Sequence, residues 1–328
     1  MIMTRTPLRI ALGGGGTDLP SYYRKFGGFV LSAAISKYVY ITINRSFLPG
    51  YLLKYSETEH AFTRSEIRHR LFREAIEVHD VPGPLEIVSL ADVPAGTGLG
   101  SSGTFLVGLM HALHAHKREP VTPELLAREA VDLEMNRLGE PVGKQDQYIA
   151  AYGGLLCQEY HEDDRVTVSP LKISDQTLRE LRDSLMLYFV GHTREASTLL
   201  ADQKSRSEEN DTAMLQGLHF TKQLGIQIRK LLESGCTCKF GPLMHEHWVR
   251  KRGRSAGMTN NRIDELYELA RCEGGATGGK LVGAGGGGFL LFQTEDRRRL
   301  RDVMTRAGLS EMDFHFDFDG SVVLTRNA

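Results

Sequence analysis

Cysteine and tryptophan are scarce in this 328-residue sequence, four and one respectively, and no apolar run reaches the roughly 18 residues of a membrane helix. Cys157, Cys236, Cys238 and Cys272 form no C-x-x-C pair and no zinc-finger spacing. Only one residue separates Cys236 from Cys238, poor geometry for a disulfide, so the four are expected to be reduced thiols of a cytosolic protein. The first residues, Met-Ile-Met-Thr-Arg-Thr-Pro, lack the apolar core of a secretory signal, and none is expected. Charge of one sign is missing too. The net charge of -1 offers no general attraction to nucleic acid or to a membrane surface, so a charged substrate must be held by local patches. Neither repeats nor low-complexity segments are visible.

Glycine is abundant. Of its 35 copies, 17 fall in four clusters at 13–16, 96–103, 274–279 and 283–288, the pattern of backbone that approaches something closely. The length suggests two domains, and the 41% apolar content allows a sizeable core. Strands are expected at 9–12, 29–44, 85–90, 153–160, 185–190 and 321–325, where β-branched and apolar residues alternate or run together, and 280–293 is expected as a glycine loop followed by a strand. Helices are expected at 65–79, 104–116, 122–134, 213–234, 240–252, 260–271 and 296–307. Thr122 and Pro123 suit the cap and first position of the third of these. The mixture lacks strict βαβ alternation, which predicts an α+β fold divided into 1–183 and 184–328.

The most informative segment is Pro94-Ala95-Gly96-Thr97-Gly98-Leu99-Gly100-Ser101-Ser102-Gly103-Thr104, leading straight into a helix. Such glycines let backbone N–H groups turn around an anion, and the helix N-terminus adds unpaired donors and partial positive charge. Ser101 and Ser102 can donate to phosphate or ligate Mg²⁺. No Gly-Lys-Ser/Thr closes the loop, so it is not a Walker loop, and its glycine spacing is wrong for a dinucleotide fold.

These residues resemble the phosphate loop of the GHMP kinases, Pro-x-Gly-x-Gly-Leu-Gly-Ser-Ser. Two further motifs resemble that superfamily's in the same order: Thr6-Pro7-Leu8-Arg9 with Gly13-Gly14-Gly15-Gly16-Thr17-Asp18, and Lys280-Leu281-Val282-Gly283-Ala284-Gly285-Gly286-Gly287-Gly288-Phe289. The resemblance spans almost the whole chain. It implies a ribosomal-protein-S5-like N-terminal domain with a left-handed βαβ unit and a ferredoxin-like C-terminal domain, with ATP and acceptor meeting between them. Asp146 would be the catalytic base and Arg9 would stabilise the developing charge. Pro94, Gly96, Gly98, Leu99, Gly100, Ser101, Ser102, Gly103 and Thr104 would bind ATP, and Ser102 and Glu134 would hold Mg²⁺.

The sugar-kinase branch fits best, because Arg9 stands nine residues before Asp18, as in galactokinase-like enzymes. Gly15-Gly16 replaces their Glu-His, which removes a sugar-binding carboxylate and argues against galactose. With Gly143-Lys144-Gln145-Asp146-Gln147-Tyr148, the pattern resembles the D-glycero-D-manno-heptose 7-phosphate kinases, which phosphorylate the anomeric O1. Gly15, Thr17, Asp18, Lys144, Gln145, Lys251 and Gly286 would then contact the sugar phosphate. Lys144 and the run Arg250-Lys251-Arg252 are the candidate cations for its distal phosphate. L-fucokinase or another sugar-1-kinase is the alternative, and a catalytically silent sugar and ATP sensor is a third. Arg297, Arg298, Arg299 and Arg301 read as a solvated helix face. His111, His114, His116, His245 and His247 read as packing or surface residues rather than a metal site. The oligomeric state is left open.

Overall fold

The computed structural model describes residues 1–191, 196–253 and 257–326. The first sheet is built on two long neighbours, β1 (Ile2–Gly13) and β2 (Gly28–Arg45), paired antiparallel. Leu8, Ile10, Leu12, Val30, Ile35, Ile41 and Ile43 are all buried, which explains why these apolar runs settle as strands. The start of β2 pairs with β6 (Leu155–Tyr160), which carries β7 (Val166–Pro170). Its far end pairs with β5 (Leu85–Ala91). Beyond lie β3 (Tyr51–Lys54), parallel to β5, and β4 (Thr58–Ala61).

Against this sheet pack α2 (Arg70–Val78), α3 (Ser101–Lys117), α4 (Pro123–Val131) and α5 (Gln145–Tyr152). The short α1 (Pro20–Phe26) joins β1 to β2. The second sheet is β8 (Leu185–Gly191), β10 (Gly288–Thr294) and β9 (Ala276–Leu281), in the order β8-β10-β9, and a bridge from Tyr188 to Glu311 extends it. The remaining helices are α6 (Asp175–Ser184), α7 (Ala196–Glu208), α8 (Thr212–Glu233), α9 (Phe240–Arg252), α10 (Asn261–Cys272) and α11 (Arg297–Arg306); α9, α10 and α11 pack on this second sheet, whereas α8 lies against β1 and β2. Helices and mixed sheets thus make the expected α+β fold. No helix among the described residues is long and apolar enough to cross a membrane.

Several elements differ from the sequence expectation. The last strand, β11 (Val322–Arg326), pairs with Ile2–Arg5 of β1 and so belongs to the first sheet, although 184–328 was expected as one unit. The expected helix over 65–79 begins only at Arg70, because a capping box between Thr63 and Glu66 closes a separate short turn first. The helix over 122–134 ends at Val131 and continues as a π-helical turn over Asp132–Arg137, where Leu138 N donates to Leu133 O at 3.0 Å. α5 was missed because Gln147, Tyr148, Ile149, Ala150 and Ala151 are all buried, leaving no amphipathic stripe to read.

The two halves meet where α8 crosses the end of β1. A Cβ on Gly225 would lie 3.0 Å from Gly14 N, and one on Gly13 would lie 2.9 Å from Gly225 Cα. In a helix interior, replacing glycine ordinarily gains up to about 1 kcal/mol, whereas overpacking costs about 1–3 kcal/mol. Packing wins for a large side chain. Gly225→Leu is therefore expected to lower the melting temperature, measured by circular dichroism; an unchanged or higher value would show that α8 does not depend on this contact.

Candidate active site

One cleft of about 1160 Å³ lies between the halves, and most of the charged sequence candidates line it. Its floor is an ion pair. Arg9, 5% exposed at the middle of β1, donates from Nε to Asp146 Oδ1 at 2.7 Å and from Nη2 to Oδ2 at 2.9 Å. This fork-to-fork geometry fixes both side chains. The third guanidinium nitrogen, Nη1, donates to Gly98 O, and the Arg9 N–H donates to Leu99 O at 3.0 Å. The pair is thereby tied to the phosphate loop. Asp146 sits in the first turn of α5, which approaches α3 closely because Gly103 has no side chain; a Cβ there would lie 2.8 Å from Asp146 Cβ.

The phosphate loop enters α3 through Gly100 in the left-handed region, φ +82°, with no side chain capping the helix. Its first-turn N–H groups and the helix dipole are left for a ligand. Ser101 Oγ is buried without a hydrogen-bond partner at this point on the cleft wall. An orphaned hydroxyl beside a helix N-terminus fits a phosphate oxygen. The loop is backed by the other half of the chain. Gly98 and Gly283 both have positive φ, +81° and +83°, and a Cβ on Gly283 would lie 2.4 Å from Gly98 Cα.

Two further carboxylates face the cleft. Asp18 is 2% exposed; its Oδ1 accepts from Gly16 N at 3.0 Å and its Oδ2 from Gln145 N at 3.2 Å. Burial, and then the nearby charge of Asp146, push its carboxyl above the usual range. Glu134, delivered by the π-helical turn, accepts from Gln147 Nε2 at 2.6 Å and interacts with the Ser102 hydroxyl. Burial pushes it up to about 7 against the opposing pull of those hydrogen bonds. A buried carboxylate beside a serine hydroxyl suits a hard cation, which would restore the charge that burial disfavours.

The GHMP kinases N terminal domain model matches residues 66–154, and the GHMP kinases C terminal model matches residues 228–309. A D-glycero-alpha-D-manno-heptose 7-phosphate kinase of Campylobacter jejuni is 31% identical over 97% of each chain. The chain belongs to the GHMP kinases. The bifunctional fucokinase/GDP-fucose pyrophosphorylase of Arabidopsis thaliana is 26% identical over 96% of this kinase, which spans 31% of that larger protein. Among solved structures, a D-glycero-D-manno-heptose 1-phosphate kinase from Bacteriodes thetaiotaomicron superposes with a TM-score of 0.82 at 26% identity over the full length of both. A putative sugar kinase from Campylobacter jejuni gives 0.77 at 29% identity, covering 98% of this chain and 97% of that one. The kinase is thus an ATP-dependent sugar phosphotransferase with an alcohol acceptor.

Arg9, Gly15, Asp18, Pro94, Gly96, Gly98, Gly100, Ser101, Ser102, Glu134, Gln145, Asp146 and Lys251 all reach the cleft of the kinase. Others expected there do not. Lys144 turns away, donating to Asp164 O at 2.9 Å with its ammonium 4.7 Å from the Tyr23 ring centroid. Thr17 is fully buried, its hydroxyl 2.8 Å from Gly14 O and 2.9 Å from Phe29 O, so it shapes the glycine turn instead of meeting a sugar. Leu99 and Thr104 are buried in the support of the loop, and Thr104 Oγ1 donates to Pro7 O at 3.2 Å. Gly103 spaces α3 from α5, and Gly286 is not itself among the residues that line the cleft, donating its N–H at 2.9 Å to the carbonyl of Met258, which is.

Sequence reasoning assigned no role to Lys280. It is 3% exposed at the end of β9, lines the cleft and donates to Leu12 O at 3.0 Å. Burial and then the nearby charges of Lys251 and Arg9 push its ammonium well below the usual lysine range. Its signal lay in Gly278-Gly279 just before it, a glycine pair that lets the strand pack closely.

The Glu134 shift has a pH consequence. At pH values below its unfolded pKa of 4.5, both folded and unfolded chains hold the proton; from there up to about 7 the folded chain keeps a proton that the unfolded chain has lost. Stability contributed by this group therefore falls as pH rises through that window, by up to about 3 kcal/mol. Without divalent cations, Glu134→Gln is expected to match the parent near pH 4 and to melt higher than it at pH 8. A difference in melting temperature that does not grow with pH would refute the assignment.

Proposed function

We propose that this kinase transfers the γ-phosphate of MgATP to the anomeric O1 of D-glycero-D-manno-heptose 7-phosphate, giving the 1,7-bisphosphate and ADP. The observation that carries the reading is the 31% identity over 97% of both chains to a heptose 7-phosphate kinase, together with a cleft in which Arg9, Asp18, Asp146 and Glu134 converge. As the O1–P bond forms and the bond from Pγ to the bridging oxygen of ADP breaks, the O1 proton passes to Asp146. A carboxylate has about four acceptor positions, so Asp146 can take it while still holding Arg9. Arg9 offsets the charge that develops on the transferring group. Asp18, and Gln145 through its buried Oε1, which has no hydrogen-bond partner, would accept from sugar hydroxyls. Ser102 and Glu134 would hold Mg²⁺. Bound there, Mg²⁺ neutralises part of the phosphate charge. Four unpaired thiols support work in a reducing compartment such as the cytosol. L-fucokinase or another sugar-1-kinase remains the second reading, supported by the 26% identity to the plant fucokinase.

Turnover with ATP on heptose 7-phosphate, unphosphorylated heptose, fucose and mannose, with the product's linkage read by phosphorus NMR, tests the assignment. Preference for an unphosphorylated sugar would overturn it. Asp146→Asn is expected to lower turnover by about 10²–10⁴-fold with MgATP affinity within a few-fold of the parent. Rates within tenfold of the parent, in a variant that melts normally, would remove Asp146 as the base.

Within Arg250-Lys251-Arg252, only Lys251 lines the cleft; Arg250 lies 4.1 Å from the Phe220 ring centroid and Arg252 pairs with Asp264 at 3.7 Å. Lys251 is accordingly the distal-phosphate cation of this proposal. A hydrogen bond to a charged group contributes about 1.5–3 kcal/mol, so Lys251→Ala should weaken use of the phosphorylated sugar roughly 10–150-fold and spare the unphosphorylated one. Equal loss on both would place Lys251 in ATP binding or folding instead.

A further inference from the structure

On the far side of the first domain, three helices bring two imidazoles, a carboxylate and a thioether to one point. His79 follows α2 directly, Met110 and His114 lie one turn apart on α3, and Glu129 comes from α4. His114 Nε2 is 2.8 Å from Glu129 Oε2, His79 Nε2 is 4.0 Å from the same oxygen, and His79 Nε2 is 2.9 Å from Met110 Sδ. One ligand atom from each of His79, His114 and Glu129 lies within 4.8 Å of the others. The other nitrogen of His114, Nδ1, is 3.1 Å from Glu119 Oε2.

We propose that His79, His114 and Glu129, with Met110 as fourth neighbour, form a binding site for a divalent transition-metal ion of the zinc class. Metal–nitrogen and metal–oxygen bonds of about 2.0–2.1 Å in a tetrahedron put ligand atoms roughly 3.4 Å apart. The separations of 2.8 to 4.0 Å bracket that spacing, so side-chain rotations suffice to admit an ion. A thioether is a weak hydrogen-bond acceptor but a competent soft ligand, which gives the approach of Met110 to the imidazole a purpose in the metal-bound form. Glu119 on Nδ1 is the outer carboxylate that orients a metal-ligating histidine and fixes Nε2 as the coordinating atom. The histidine side chains are 5% and 9% exposed, whereas Glu129 is 26% and Glu119 43% exposed, leaving an entry from solvent. Mixed nitrogen, oxygen and sulfur donors disfavour Mg²⁺, so the Mg²⁺ that accompanies ATP does not compete.

The ion would pin the end of α2 to α3 and α4. Ser101, at the other end of α3, is about 20 Å away at 1.5 Å per residue, so the site is structural and separate from phosphate transfer.

The test uses the full chain with Cys236→Ser, Cys238→Ser and Cys272→Ser, which removes the exposed thiols as competing ligands. This protein is incubated with Zn²⁺ or Co²⁺ in Mg²⁺ buffer, gel-filtered and assayed for metal. One ion per chain is expected, with the visible absorption of tetrahedral Co²⁺ and no thiolate-to-metal band. Glu119→Gln, a change at the surface, should weaken Co²⁺ binding about 10–100-fold, and His79→Gln or Glu129→Gln by at least as much. His111→Gln, on α3 but facing Ser321 at 3.0 Å, should leave it unchanged. Absence of a stoichiometric ion, or one retained by the Glu119, His79 and Glu129 variants alike, would overturn the proposal.

Discussion

The Arg9–Asp146 pair is the contact on which the rest of the site depends. An arginine only 6% exposed needs an opposing charge, and Asp146 supplies one in bidentate form while keeping 22% of its own side chain open to the cleft. In a fully buried pair, removing one partner costs about 3–5 kcal/mol, because the other charge is left without compensation. The pair, less costly to break because Asp146 stays partly open, still ties β1, α5 and the phosphate loop into one geometry, since Arg9 also binds the carbonyls of Gly98 and Leu99. A carboxylate, a guanidinium and a glycine loop at a helix N-terminus are thus held in one fixed arrangement, the kind of geometry that electrostatic preorganisation requires.

The second constraint is the seam between the halves. Gly98 and Gly283 touch backbone to backbone, and Lys280 reaches from the second sheet to Leu12 O at the end of β1, while Lys251 braces Gly283 from within the second half. Each contact needs a residue that is either without a side chain or long enough to cross. The cleft they enclose holds buried groups of both signs, and burial disfavours ionisation of Asp18 and Glu134 as well as of Lys280. Anionic phosphates and a divalent cation would reverse much of that cost.

The sequence by itself determined the family, the phosphate loop and most of the residues that meet in the cleft. Those features are written locally: glycines at fixed spacing before a helix, a serine pair, and an arginine and aspartates at set distances along the chain. The α+β class, the long β2 and the helices α3, α8, α9, α10 and α11 were legible for the same reason, through periodicity and buried β-branched runs, whereas β1 was expected only over 9–12 and α6 and α7 not at all. The four-residue strands β3 and β4 and the short α5, buried from Gln147 to Ala151, were not legible, because a period needs length or an exposed face to be visible. Tertiary structure alone decided which way each side chain points. Lys144 and Asp146 are two residues apart, yet Asp146 faces Arg9 and Lys144 binds Asp164 behind it, because successive residues at a helix start leave in different directions. Likewise, Lys251 was separated from its arginine neighbours only by the packing of α9. His114 reads as an ordinary helix residue until folding brings His79 and Glu129 to it from two other helices, and β11 joins the first sheet although it ends a chain segment that begins in the second. Spacing along a chain constrains neighbours within a turn or two; contacts between residues hundreds of positions apart are set by the closing of the core, which no local pattern records.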